Sequence, residues 1–527
     1  MLMRALYILV VCKGKFLQIR HFAWIFMFKS CIKLLTKILF WQHLFVILFA
    51  SVLLFSKNDT QQAKTILNKY CHIVPEEVKA KRNLRIATFK GNLNAQNRYL
   101  RLVQQHSQAV KECRDRTWPQ VQAIWLRLYP CDTQLGMIDK IMDRIINKGY
   151  NQVYIESFYN GRVLLPSNKN TTAWPSIVLR KDIEQVDLLS AAIQKGKKRG
   201  LKVYAWMFGT NFGYSYTQNK DRKGVIARNG KGQTSLYMFA DGSQVFIDPY
   251  NQQARIDYYN LVKQILQYNP DGILFDYIRY PRQTGPDSVA TKVTDLWLYT
   301  KATQRVLFQR AKNNKGLELI YRFLRKGYVT SADIAYVNKL YSREGEPMWQ
   351  GRVVIQGKRV IQLPQNQQPQ LQWELWQLSV AHAMQGIIDF VSSAAYPAQQ
   401  KGIMTGVVFF PDGNKKVGRG YDSRLQPWDR FPGNMEWHPM AYANCGSNNC
   451  IISEVQRVLS IAKSDTKIIP ALVGNWGTSI KNRPPLELQM QALRKFSTQL
   501  SGVSHFAYSW QYPDHDSERK FCRRRNT

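Results

Sequence analysis

Acidic residues are the scarce class in this chain of 527: 36 Asp and Glu stand against 74 Lys and Arg, a formal net charge of +38. A field of that sign attracts polyanions such as nucleic acid, anionic lipid headgroups or an acidic polysaccharide. The basic residues are scattered along the whole length, however, and neither zinc-finger spacing nor an aromatic RNA-binding signature accompanies them. Nucleic acid is therefore not an expected partner. Histidine is scarce too. The eight present include no HExxH or similar cluster, so no metal site is expected. No strand-like run is followed by GxGxxG or a phosphate loop, which argues against a doubly wound nucleotide-binding sheet. No cofactor is expected.

A long apolar run occurs in one place. Residues 38–55, ILFWQHLFVILFASVLLF, have near-spanning length and are interrupted only by Gln42 and His43. Lys13, Lys15, Arg20, Lys29, Lys33 and Lys37 precede them, so positive-inside logic puts the remainder across the membrane. No small-x-small cleavage site follows Phe55, and residues 1–56 read as a basic leader with a retained membrane anchor. A cleaved signal peptide, with Met27 as a start, is the alternative. Either reading makes the chain extracytoplasmic, in the periplasm or at the cell surface. Outside the leader stand Cys71, Cys113, Cys131, Cys445, Cys450 and Cys522, an even number that suits an oxidising space. Cys445 and Cys450 can close a small loop, the wider pairing is not deducible from spacing, and isolated buried thiols are the alternative.

Residues 57–117 are polar with helix-like patches and read as a linker or small helical base. From Trp118 to the end, short apolar runs alternate with helical periods, the pattern of strand-helix units on a parallel sheet. The strands begin with VQAIWLRLYP (121–130), NQVYIESFY (151–159), LKVYAWMFG (201–209) and DGILFDYIRYPR (271–282). Four more follow: GVVFFPDG (406–413), EWHPMAYA (436–443), KIIPALVGNWG (467–477) and VSHFAYSWQY (503–512). Among the helices, Leu135, Ile138, Ile141, Met142 and Ile145 share one face, and Gly149 supplies the stop. Eight alternations in residues 118–527 predict a (β/α)8 barrel, an α/β fold, with a long insertion at about 283–369 after strand four.

Active sites of such barrels lie at the C-terminal ends of the strands, and strand parity decides which side chains face the mouth. Ile273 and Phe275 face the helices, so Leu274 and Asp276 point inward; by the same parity Trp125 and Arg127 on strand one, and Tyr154 and Glu156 on strand two, point inward. Arg127, Glu156 and Asp276 are expected to converge. Asp412 closes strand five in the same layer, and His438 and Tyr442 flank the end of strand six. Arg127 or Arg279 can hold Asp276 ionised, or a neighbouring carboxylate can raise its pKa. Paired inward carboxylates suit glycoside hydrolysis, and the choice of Asp412 rather than Glu156 as partner rests on Asp412 lying one strand away. The alternative is an arginine–carboxylate network that only ties strands together. Trp206, Trp476, Tyr508 and Trp510 stand at strand ends, and Arg279 and Tyr280 follow Asp276; all six are candidate sugar-binding side chains. Asp248, ahead of Pro249, reads as a helix cap.

LKVYAWMFG, FIDPYNQQARIDYYNLV and PDGILFDYIRYPR together resemble the bacterial glycosyl-hydrolase-like barrels of family 10, and most closely their extracytoplasmic cyanobacterial members, over roughly residues 118–522. That resemblance implies a (β/α)8 fold, hydrolysis of O-glycosyl bonds, and a catalytic aspartate at the end of strand four, carried here by Asp276. The long basic insertion departs from the shorter barrels of the group. The resulting expectation is a glycoside hydrolase acting on a cell-envelope or extracellular polysaccharide, anionic by the argument from charge. A noncatalytic glycan-binding barrel tethered to the envelope is the alternative.

Overall fold

The computed structural model describes residues 70–238, 244–353 and 363–522. The apolar run at 38–55 and the start of the 57–117 stretch lie outside the described residues. Among those described, no helix is long and apolar enough to cross a membrane.

Helices α1 (Pro75–Phe89) and α2 (Leu93–Arg116) form a hairpin, and the barrel follows with β1 (Val121–Leu126), α3 (Met137–Asn147), β2 (Gln152–Tyr159), α4 (Leu188–Lys197), β3 (Lys202–Phe208), α5 (Gln252–Leu266) and β4 (Gly272–Asp276). After β4 come α6 (Lys301–Phe308), α7 (Asn314–Lys326), α8 (Ser331–Leu340) and the 37-residue α9 (Pro364–Gln400). Then follow β5 (Met404–Phe409), β6 (Glu436–Pro439), α10 (Asn448–Leu459), β7 (Ala471–Val473), α11 (Leu486–Leu493), β8 (Gly502–Phe506) and α12 (Pro513–Lys520). The strands are hydrogen-bonded in the order β6-β5-β4-β3-β2-β1-β8-β7. Parallel bridges from Trp437 to Ile468 and from Met440 to Ala471 join the two ends. The sheet is therefore an eight-stranded parallel barrel. Closure leaves no edge, and with helices outside and side chains inside, each strand is buried on both faces.

Parity sets the interior. Trp125 on β1 packs edge-on against Tyr154, Trp206 and His438 at ring-centroid distances of 4.8, 4.9 and 6.2 Å. Gly406 on β5 makes room for this layer, since a Cβ there would stand 2.7 Å from Leu274 Cδ2 and 3.1 Å from His438 Nε2. On the outer face Phe275 meets Tyr258 of α5, which in turn meets Phe390 of α9. In α3, Ile138, Ile141, Met142 and Ile145 are buried at helical spacing; Leu135, expected on that face, precedes the helix and is exposed.

The hairpin is packed against the barrel. Asp143 on α3 accepts from Arg85 of α1 (2.7 Å), from the Tyr99 hydroxyl of α2 (2.9 Å) and from Arg199 after α4 (2.9 Å). Disulfides join Cys71 to Cys113, Cys131 to Cys522 and Cys445 to Cys450. The second of these, with Arg519 bound to both Asp132 oxygens, ties α12 to the loop after β1.

Asp248 is not the cap of α5. Asn251 is, accepting from the Ala254 N–H at 3.1 Å. Asp248 is buried and accepts instead from both hydroxyls of Thr300 and Thr303 at the start of α6, and from the Thr303 and Tyr250 N–H groups. One carboxylate thus docks the insertion onto the barrel, an assignment that depends on residues more than fifty positions away. Asp248→Ala leaves those four donors without their acceptor. It should cost about 2–4 kcal/mol in urea unfolding and open the segment around α6 to limited proteolysis.

Candidate active site

The β3–β4 register brings Phe208 opposite Asp276, so both strands end at one level of the mouth. Because Phe275 is committed to the helix layer, Asp276 turns inward and is 7% exposed. Its Oδ1 accepts from the Tyr277 N–H at 2.6 Å and its Oδ2 from the Trp206 indole N–H at 3.1 Å. Burial is the largest influence and raises its pKa to about 6; Tyr277, Arg279 and Trp206 pull it down, and Glu156 pushes it up. Glu156 is fully buried on β2 and paired through both oxygens with Arg127, whose Nη2 lies 3.0 Å from Oε1. Burial raises its pKa from the ordinary value, against the pull of Arg127. Arg127 lies over the Tyr159 ring at 4.4 Å, and its carbonyl accepts from Arg519 at 2.7 Å. The three residues read as convergent from sequence are thus an ion pair and a carboxylate that feels it.

The turn after Asp276 is held in an uncommon conformation. Tyr277 has φ +53°, in the left-handed region that non-glycine residues seldom occupy. Its carbonyl accepts from both the Thr210 hydroxyl and the Thr210 N–H, and the same hydroxyl lies 2.6 Å from the Arg279 carbonyl. The Tyr277 ring lies 4.2 Å from Phe208. Gly209 accompanies this turn: its N–H donates to the Asp276 carbonyl at 2.6 Å, and a Cβ would stand 2.0 Å from Ile278 Cδ1. Tyr277, Thr210 and Gly209 were not singled out in the sequence. The glycine following strand three was the one available sign.

Arg279 is buried between the rings of Tyr277 (4.7 Å), Phe246 (5.3 Å) and Phe410 (5.8 Å). Its guanidinium donates to the Tyr280 carbonyl and to no carboxylate among the described residues. Burial lowers its pKa to about 10. Tyr442, half-buried, has a hydroxyl raised well above its ordinary pKa by burial and further by Asp276 and Tyr277, and its ring lies 5.7 Å from Phe506. Asp276, Trp206, Tyr277, Arg279 and Tyr442, with the Arg127–Glu156 pair, make up the candidate site.

Other sequence-predicted residues lie elsewhere. Asp412 stands beyond the end of β5 at the rim, 53% exposed and 3.0 Å from Arg424. The carboxylate beside it is Glu454 of α10, which burial raises to about 7 with Asp412 adding to the rise. His438 is fully buried between Trp125 and Tyr154, and neither ring nitrogen is hydrogen-bonded. Tyr280 is buried and donates to the Ala383 carbonyl of α9 at 3.2 Å. Tyr508 and Trp510, expected at the end of strand eight, lie beyond it, because β8 stops at Phe506 and a helical turn follows. Tyr508 is therefore buried against His515, and Trp510 lies beneath the Lys481 and Arg483 side chains. Trp476 donates to the Tyr150 hydroxyl at 3.0 Å and packs on His505, outside the candidate site.

Residues 119–323 match the glycosyl hydrolase-like 10 family. No curated protein matches the chain. Among solved structures it is similar to a β-galactosidase from the psychrophilic Marinomonas ef1 at 9% identity and a TM-score of 0.42, over 74% of this chain and 54% of that one. A β-galactosidase from Halorubrum lacusprofundi is similar at 11% identity and a TM-score of 0.41, over 74% and 52%. A hypothetical protein from Ruminiclostridium thermocellum is similar at 15% identity and a TM-score of 0.24, over 30% and 77%. The chain spans about half the length of the two β-galactosidases.

A raised carboxylate pKa has a definite sign in stability. The folded chain holds the Asp276 proton more tightly than the unfolded chain, so stability is lost as pH rises from near 3.8 through about 6. Asp276→Asn removes that loss. Above pH 7 the variant should gain up to about 3 kcal/mol, less whatever its amide forfeits facing two N–H donors, and the gain should vanish below pH 4. Thermal melts across pH 4–8 read it; a variant destabilised most at high pH would contradict the burial of an ionisable Asp276. Gly209→Ala should displace Ile278 and the Asp276 turn, visible as a shift in the Asp276 titration by NMR.

Proposed function

We propose that this barrel, with its match to the glycosyl hydrolase-like 10 family, hydrolyses glycosidic bonds in an extracellular or cell-envelope polysaccharide. The observation that carries the reading is Asp276: a carboxyl group in a ring-lined barrel mouth, with a pKa near 6 and a second carboxylate, Glu156, close enough to raise it. A carboxyl group poised near neutrality is what protonation of a leaving glycosidic oxygen requires. Glu156, held by Arg127, is the proposed partner because its charge bears on Asp276, whereas Asp412 stands exposed at the rim beside Arg424. Trp206, Tyr277 and Tyr442 offer ring edges and hydroxyls to a sugar, and the buried guanidinium of Arg279 supports an acidic sugar unit beside Asp276. Three disulfides support an oxidising, extracytoplasmic location.

The test is release of new reducing ends from a panel of neutral and acidic glycans by the purified protein and its amide variants. Asp276→Asn should lower turnover by about 10²–10⁴-fold while the fold is kept. Glu156→Gln should lower it comparably and move the pH limb near 6 downward, since the neighbouring negative charge is gone. Asp412→Asn should stay within a few-fold of the parent. Loss in Asp412→Asn with retention in Glu156→Gln would move the pair to Asp276 and Asp412. Binding of a glycan with no turnover, unchanged in Asp276→Asn, would make the chain a noncatalytic glycan-binding barrel.

A further inference from the structure

A cavity bounded by the described residues lies away from the mouth. It measures about 740 Å³ and lies between α1, α3 and the loops that carry Trp476 and Tyr512. Its charge is lopsided even for this chain. Helix α1 presents Lys79, Lys81, Arg82 and Arg85 to it, and α3 adds Lys140 and Arg144. The single carboxylate in the wall, Asp143, is already engaged by Arg85, Arg199 and the Tyr99 hydroxyl.

Lys81 is the anomaly. It is 1% exposed, and its Nζ has no hydrogen-bond partner. The two acids near enough to influence it are Asp143, committed as above, and Glu77, which lies 3.1 Å from His106. A desolvated ammonium without an acceptor is costly, and the neighbouring guanidinium groups add to the cost by repulsion. Arg144 has a second buried donor, Nη1, that is also without a partner. Burial, with Arg199 and Arg85 adding to it, lowers the Lys81 pKa to about 8 against the pull of Asp143. The rest of the wall mixes His72, Asn147 and Lys148 with apolar and aromatic side chains, including Ile73, Val78 and the Tyr70–Trp476 pair at 5.9 Å.

We propose that this cavity is a binding site for a phosphate-bearing ligand, with the phosphate oxygens accepting from Lys81 and Arg144 and the rest of the molecule lying against Tyr70 and Trp476. Several cations from two helices suit a group with up to two charges and three or more acceptor oxygens better than they suit a single carboxylate. The volume exceeds what inorganic phosphate fills, which the aromatic wall explains. A phosphorylated small molecule and a phospholipid headgroup share this chemistry.

The test uses the full chain and needs no glycosidase activity, so it stands apart from the reading of the barrel mouth. Thermal melts and calorimetric titrations are run with inorganic phosphate and glycerol phosphate, against chloride at matched ionic strength. Flotation is run with phosphatidylglycerol and phosphatidylcholine vesicles. Lys81→Met keeps the stem and removes the charge, so it should melt no lower than the parent in chloride. Phosphate compounds should raise the parent's Tm saturably, and Lys81→Met should lose that shift and at least tenfold in affinity; Lys140→Gln should lose less. Saturable binding of glycerol phosphate would identify a soluble ligand. Lys81-dependent flotation with phosphatidylglycerol alone would identify the lipid headgroup. No shift with either source, or equal shifts in parent and Lys81→Met, would overturn the proposal.

Discussion

Ring closure is the constraint on which the rest depends. Eight parallel strands joined end to end leave no open edge, and every strand terminates at the same rim. A carboxylate buried in such a wall needs a partner, as Glu156 within β2 has in Arg127. At the last position of β4 it can be surrounded by donors, and Asp276 has two. The left-handed Tyr277 supplies one of them from its own backbone, which is why its conformation is pinned from the other side by Thr210.

Charge is handled in two ways across the molecule. Where it joins elements it is paired off: Asp143 with Arg85 and Arg199, Asp132 with Arg519, Asp248 with two threonine hydroxyls. These are buried, multiply bonded groups, for which losing one partner is far more damaging than their net contribution suggests. Elsewhere it is left without a counter-charge: among the described residues Arg279 at the mouth meets no carboxylate, and Lys81 in the wall of the flank cavity has no acceptor.

The covalent and ionic ties lie outside the barrel wall. The disulfide from Cys131 to Cys522 and the Arg519 network bring the last helix back to the loop after β1, and Arg519 donates to the carbonyl of Arg127. The Arg127–Glu156 pair is thereby braced from the end of the chain. Its electrostatic effect on Asp276 then rests on contacts made hundreds of residues away.

Eight strand-helix alternations and the inward parity of Trp125, Glu156 and Asp276 were legible in the sequence, because periodicity and side-chain alternation are local properties that a closed parallel sheet preserves. The same parity failed where strands stopped: Tyr508 and Trp510 lie beyond β8, and Asp412 beyond β5, so counting by twos no longer says where they point. Trp476 belongs to the flank cavity and Asp248 to the insertion for a related reason, since their partners come from distant segments. Sequence alone determined the barrel and a carboxylate at the mouth of its fourth strand. Only the tertiary structure decided which groups surround that carboxylate and that a second, cationic cavity lies on the flank, because both arise from side chains of several elements meeting in space.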